Sequence, residues 1–126
     1  MKKIFTEQAP KAIGPYSHAI RSGNLIFCSG QTPLNPQTML IEGATVTEQT
    51  NLVLSNLETV LKAEGCTSSH IIKTSVFLKN FADFEKMNKA YEAFFGDHKP
   101  ARTTVEVSRL PKDALVEIEC VAEVPA

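Results

Sequence analysis

The sequence has no apolar run longer than a few residues, far short of the roughly 20 that cross a bilayer. Nor does any apolar stretch follow the cations of Met1-Lys2-Lys3-Ile4-Phe5-Thr6-Glu7, so no secretory signal is readable. Cations do not cluster. The longest run is Lys2-Lys3, and 13 Lys plus Arg stand against 14 Asp plus Glu, for a formal net charge of −1. Nucleic-acid binding draws on many phosphate contacts from grouped cations, so this balance argues against an RNA or DNA partner. Also missing are G-x-G-x-x-G, a P-loop, H-E-x-x-H, a G-x-S-x-G elbow and any C-x-x-C pair, the patterns that hold dinucleotides, phosphates, zinc or a serine nucleophile. His18, His70 and His98 fall on separate segments, and Cys28, Cys66 and Cys120 leave one thiol over. The expectation is a protein of a reducing, cytoplasmic compartment with idle thiols. No metal and no cofactor are expected, so any catalysis runs on ordinary polar side chains and backbone dipoles.

What is present suits one globular domain spanning residues 1–126. Hydrophobic residues make up 43% and charged residues 21%, a composition that buries a core rather than staying disordered. Ser17-His18-Ala19-Ile20-Arg21 and Leu25-Ile26-Phe27-Cys28-Ser29 flank a Gly23-containing turn and read as a hairpin. Gly30 through Gly43, with Pro33, Asn35 and Pro36, reads as a long loop. Thr45 with Glu48 three residues on has the form of a capping box, and Gly65 stands where a C′ glycine belongs, so a helix is predicted over 46–64. Val46, Val53, Leu57, Val60 and Leu61 give it one apolar stripe.

Ile71 to Lys79 reads as a strand with Ile72, Thr74, Val76 and Leu78 on one face. Asn80 and Asp83 then open a second helix carrying Phe84, Met87, Asn88, Tyr91, Phe94 and Phe95, and ending at Gly96. Two strands close the chain, 102–108 and 115–124. In the last, Val116, Ile118, Cys120, Ala122 and Val124 alternate with Glu117, Glu119 and Glu123. The predicted order is ββαβαββ, an α+β domain with both helices on one face of the sheet. Phe27, Phe77 and Val121 fall on the other face, whose mixed character suggests contact with other subunits rather than water.

Several residues carry possible chemistry. Arg102 follows Pro100-Ala101 at the start of a strand, and its planar fork can hold a carboxylate through two parallel hydrogen bonds. A surface ion pair is the other role open to it. Glu117 can orient a water and trade a proton with it if its surroundings lift its pKa; otherwise it belongs to a solvated sheet face. Asn88 sits within an apolar helical stripe and needs a partner, since burying an unpaired amide costs about 1–3 kcal/mol. Tyr16 follows the rigid Gly14-Pro15 turn, which can set its ring over a ligand or simply pack it. Ser29-Gly30 ends a strand where backbone can approach a ligand closely.

Together these segments resemble the RidA (YjgF) reactive-intermediate deaminase family. The resemblance is carried by Gly14-Pro15-Tyr16-Ser17, Ser29-Gly30-Gln31 with Pro33-Leu34-x-Pro36, and Asn88-x-x-Tyr91-x-x-Phe94-Phe95. Pro100-Ala101-Arg102-x-x-Val105-x-Val107, Leu110-Pro111 and Val116-Glu117-Ile118-Glu119 complete it. It implies a chorismate-mutase-like (ferredoxin-like) fold assembled as a homotrimer, with the sheet's second face lining a central barrel and active sites between subunits. The implied reaction is hydrolysis of 2-iminobutanoate and 2-iminopropanoate to 2-oxo acids and ammonia, which protects pyridoxal-phosphate-dependent enzymes. By the resemblance Arg102 clamps the substrate carboxylate and Glu117 holds the attacking water. Tyr16, Ser29, Gly30 and Asn88 line the pocket. The family often has Cys two residues after the arginine; here Thr104 stands there, and its main chain would meet the imine nitrogen. A non-enzymatic small-carboxylate-binding or stress protein is the alternative, because a clamp serves a sensor as well as an enzyme. A ribonuclease is disfavoured by the charge balance, and chorismate mutase by the Pro-Ala-Arg and Glu-Ile-Glu patterns, since fold alone does not carry function.

Overall fold

The structure, a computed structural model, describes residues 1–125. Six strands and two helices follow in the order β1 (Lys2–Ile4), β2 (Ala19–Ser22), β3 (Leu25–Gln31), α1 (Val46–Lys62), β4 (Ile71–Leu78), α2 (Phe84–Phe95), β5 (Ala101–Glu106) and β6 (Val116–Glu123). The strands form one mixed sheet in the order β1-β2-β3-β6-β4-β5, antiparallel except for β4 beside β5. The α+β class holds. The order gains a strand: Lys2–Ile4 pairs with Ala19–Arg21. Three residues with two exposed lysines give almost no alternation to read.

Helix α1 starts where expected. Thr45 Oγ1 accepts from the Glu48 N–H at 3.2 Å and donates to the Glu48 carboxylate at 3.1 Å. Val53, Leu54, Leu57 and Leu61 are fully buried against the inward side chains of β6 and β3, and truncating one such leucine to alanine costs about 2–5 kcal/mol. The start of α2 differs from expectation. Neither Asn80 nor Asp83 caps it through a side chain, and a 3-10 turn at Phe81–Asp83 leads into the helix. The Phe81 N–H is satisfied instead by the Glu106 carboxylate at 2.8 Å. Gly96, at φ +62°, ends α2 as read.

Two β-bulges change which side chains face inward. In β4 the register steps from Ile71↔Ala122 to Lys73↔Val121, so Ile72 is an extra residue. It is Ile71 that is buried with Thr74, Val76 and Leu78, while Ile72 stays 43% exposed. In β3 the register steps from Cys28↔Cys120 to Gln31↔Ile118, so Ser29 and Gly30 together oppose Glu119. The strand therefore runs on to Gln31 where a loop was expected from Gly30, and the loop begins at Thr32.

That loop is held by side chains of α1. Asn56 donates to the Leu34 carbonyl at 3.0 Å, and Gln49 donates to the Gly43 carbonyl at 3.0 Å while accepting from the Leu115 N–H at 2.8 Å. On the side of the sheet away from the helices, Phe27 opposes Val121, and Phe77 lies between Glu117 and Val105. Phe27 and Val105 are 47% and 40% exposed there.

Candidate active site

The residues singled out in the sequence fall into two clefts rather than one. Register decides this. Arg102 pairs with Thr74, and Thr74 with Cys120; both partners are buried, so Arg102 projects on the helix side of the sheet. Glu117 alternates with the buried Val116 and Ile118 and projects on the opposite side. Within one chain the two side chains cannot reach the same small molecule.

The helix-side cleft has a volume of about 350 Å³ and opens between α2 and the segment leading into β5. Asn88 and Arg102 line it, with Tyr91, Phe95, His98 and Lys99. The Arg102 Nη1–H donates to Asn88 Oδ1 at 2.7 Å, which supplies the partner that Asn88 needed. The guanidinium carbon lies 4.7 Å from the centre of the Tyr91 ring and 5.6 Å from that of Phe84. Arg102 makes no ion pair among the described residues, so its surface-pair role does not materialise. One fork is held in place while the remaining N–H groups have no carboxylate among the described residues to neutralise them.

The second cleft, about 660 Å³, lies on the other side of the sheet. Tyr16, Ser29, Gly30 and Glu117 line it together, with Lys11 and Lys112 at its walls. The bulge makes room here. A Cβ on Gly30 would overlap the Glu117 carboxylate, whose carboxyl carbon would lie 3.1 Å from it, so only glycine admits the side chain as placed. Burial first, and then the neighbouring Glu119, raise the pKa of the Glu117 carboxyl from its ordinary value, the direction that favours proton exchange. Ser29 Oγ donates to the Ser17 carbonyl at 2.7 Å and its N–H to the His18 carbonyl at 3.0 Å. Both bonds dock the Tyr16 segment onto the bulge. His18, buried, fixes that segment from behind: its Nδ1 accepts from the Thr6 N–H at 3.1 Å, so its Nε2 donates to the Pro10 carbonyl at 2.7 Å.

Thr104 lines neither cleft. Its Oγ1 is buried without a hydrogen-bond partner among the described residues. The main chain is better placed. The Val107 N–H donates to the Leu78 carbonyl at 2.9 Å, so by strand alternation the peptide groups of Thr103 and Val105 turn toward β4. Those of Arg102 and Thr104 turn outward from the sheet edge. Sequence reasoning did not assign Lys11, Lys112 or Met39 to a cleft. Lys112 and Met39 meet through a 2.9 Å bond from Nζ to the Met39 carbonyl, and both sit at positive φ (54° and 62°); Leu110-Pro111-Lys112-Asp113 reads as a turn, but nothing in that pattern signals the contact. Nor do the described residues contain a group of three metal-ligating side chains, or a helix long and apolar enough to cross a membrane.

Comparison with known proteins finds close relatives along nearly the whole chain. The family described as Endoribonuclease L-PSP matches residues 6–124. A RutC family protein of Pyrococcus horikoshii is 52% identical over 119 residues, 94% of each chain. A protein of Escherichia coli named 2-iminobutanoate/2-iminopropanoate deaminase is 47% identical over 124 residues, 96% of each chain. Among solved structures, E. coli TdcF with bound serine superposes with a TM-score of 0.94 at 41% identity, covering 99% of this chain and 100% of that one.

Proposed function

Because the chain belongs to the Endoribonuclease L-PSP family, which takes in the RidA (YjgF) proteins its motifs resemble, we propose that it hydrolyses short 2-imino acids to 2-oxo acids and ammonia. The observation that carries the proposal is the pairing of a preset, un-neutralised guanidinium in one cleft with a carboxylate of raised pKa in the other. Imines hydrolyse readily in water, so a site need only orient a water and favour the polarised C=N. No activated nucleophile is required.

In the proposed reaction Arg102 takes the substrate carboxylate with the N–H groups that Asn88 leaves free. With the substrate entering as its nitrogen-protonated iminium, Glu117 accepts a proton from a water as the water oxygen bonds to C2 and the C=N electron pair moves to nitrogen. A carbinolamine results. Glu117 returns its proton to the nitrogen, the C–N bond breaks as the C2 hydroxyl gives its proton to the Glu117 carboxylate, which passes it to solvent, and ammonia departs from the 2-oxo acid. The outward peptide groups of Arg102 and Thr104 lie beside the clamp, where they can meet the imine nitrogen. Tyr16, Ser29 and Gly30 wall the Glu117 side.

Since Arg102 and Glu117 project from opposite sides of the sheet, the proposed site is completed by a second copy of the chain. A homotrimer offers three such junctions and covers the apolar strip of Phe27, Phe77, Val105 and Val121.

Trapping by semicarbazide tests the activity. A purified threonine dehydratase releases the imine, and this protein should slow semicarbazone formation, whereas Arg102→Ala should leave it unchanged. An unaltered rate with the wild-type protein would overturn the enzymatic reading. A carboxylate-binding protein is the second reading, favoured by the serine held by the TdcF relative; it predicts that Glu117→Gln keeps full ligand affinity and has no activity to lose. RNA cleavage that survives substitution of both Arg102 and Glu117 would point instead to a nuclease.

A further inference from the structure

Helix α2 presents Phe84, Asn88 and Tyr91 at spacings of four and three residues, hence on one face, and all three meet the same guanidinium. Asn88 bonds its edge at 2.7 Å. Tyr91 lies closest beneath it, with Cζ 4.7 Å from the ring centre, and Phe84 is farther off at 5.6 Å. The Tyr91 ring is itself fixed at both ends. Its hydroxyl shares a 2.7 Å hydrogen bond with Thr74 Oγ1 in the core, and its edge packs against Phe95 with ring centres 4.6 Å apart. Thr74 is the register partner of Arg102, so the hydroxyl is anchored on the very rung from which the arginine projects.

A hydrogen bond to one nitrogen leaves a planar fork free to rotate about that contact. A ring face beneath it removes that freedom, because the guanidinium keeps its cation–π contact only while it lies over the π-face. We propose that Tyr91 is the positioning residue that sets the plane of the Arg102 fork, so that its unpaired N–H groups point into the cleft in the geometry that a carboxylate accepts bidentately. This rests on the reading of Arg102 as a carboxylate clamp. The role is orientation, and Tyr91 need not touch the substrate. Burial keeps the hydroxyl protonated by raising its pKa, against the weaker opposing pull of Thr74 and Arg102, so the anchor to Thr74 persists across the working pH range.

The test separates binding from chemistry. Wild-type protein is first titrated with 2-oxobutanoate, a product and carboxylate probe, by calorimetry; absence of binding there defeats the clamp reading itself. Given binding, Tyr91→Leu should weaken it about fivefold or more, by loss of the π-face and of the fork's fixed plane. KM for the imine should rise in parallel while kcat changes far less. Tyr91→Phe keeps the face and should recover most of the affinity. In the wild type the Arg102 Nε–H resonance should carry an upfield ring-current shift that Tyr91→Phe keeps and Tyr91→Leu loses. Unchanged 2-oxobutanoate affinity in a folded Tyr91→Leu would overturn the proposal, as would a loss confined to kcat. If Tyr91→Leu does not fold, Thr74→Val decides by freeing the ring's anchor: a raised KM with kcat kept supports the proposal, and an unmoved KM overturns it.

Discussion

The two clefts solve opposite electrostatic problems with different materials. On the helix side a cation is held by side chains of one regular helix, an amide and two aromatic rings at fixed spacing. On the far side an anion is held by irregular backbone, a bulge whose glycine leaves room for it and a loop segment docked by Ser29. The difference follows from the charges. A guanidinium is weakly hydrated and keeps its charge against aromatic carbon, whereas a carboxylate that must trade protons needs partial burial, with space beside it for a water. A regular helix supplies the first setting, and a sheet supplies the second only where its ladder is interrupted.

The largest effect expected from this division is complementation. Arg102→Ala and Glu117→Gln should each lose two or more orders of magnitude in kcat/KM, as removal of a clamp or a proton carrier does. Arg102→Ala should lose 2-oxobutanoate binding and Glu117→Gln keep it. Unfolded together in equal amounts and refolded, they should recover about a quarter of wild-type activity, since random assembly gives one junction in four both intact groups. No recovery would mean that the clefts work separately, and the comparison would fail.

A smaller effect is expected at the bulge. Gly30→Ala should lower kcat about 10- to 100-fold, because the displaced carboxylate misaligns its water. The melting temperature should hardly move, since the clash falls on the end of a flexible side chain. A full-strength enzyme would show that the Gly30 contact is incidental.

The smallest effect concerns pH. The proposed reaction needs ionised Glu117, so kcat/KM should fall as pH drops through its raised pKa. Glu119→Gln removes the like charge, the lesser of the two causes, and should move this acid limb to lower pH. An unmoved limb would assign the raised pKa to burial alone.

Much of the fold was legible because periodicity is written in every long element. The stripe of α1, the Thr45 cap and the alternation of β6 needed no structure to be seen. What was hidden lies where the period breaks. Ile72 reads as inward by strict alternation, and only the pairing of β4 with β6 reveals it as the extra residue. The lysine-rich β1 is too short to show a period at all. The residues of the proposed site are singled out through the resemblance more than through spacing. Their division between two sides of the sheet is less plain, although alternation in β6 and the position of Arg102 within β5 contain it. Tyr91 reads as part of the apolar stripe and is buried, but nothing in the sequence says that its ring lies under a charge.

The Ser29–Gly30 bulge also bears on how such a cleft could arise or be erased. Before it, Ile26 and Cys28 face the core at even positions; after it, Gln31 does so at an odd one. Deleting one of the pair would set the other opposite Glu119 and leave Gln31 opposite Ile118, still facing inward. The ladder would become regular and every downstream partner would keep its place. A single codon thus separates a plain sheet from one with a cavity in its surface. The shortened chain is the natural empty scaffold against which the chemistry of this one can be measured.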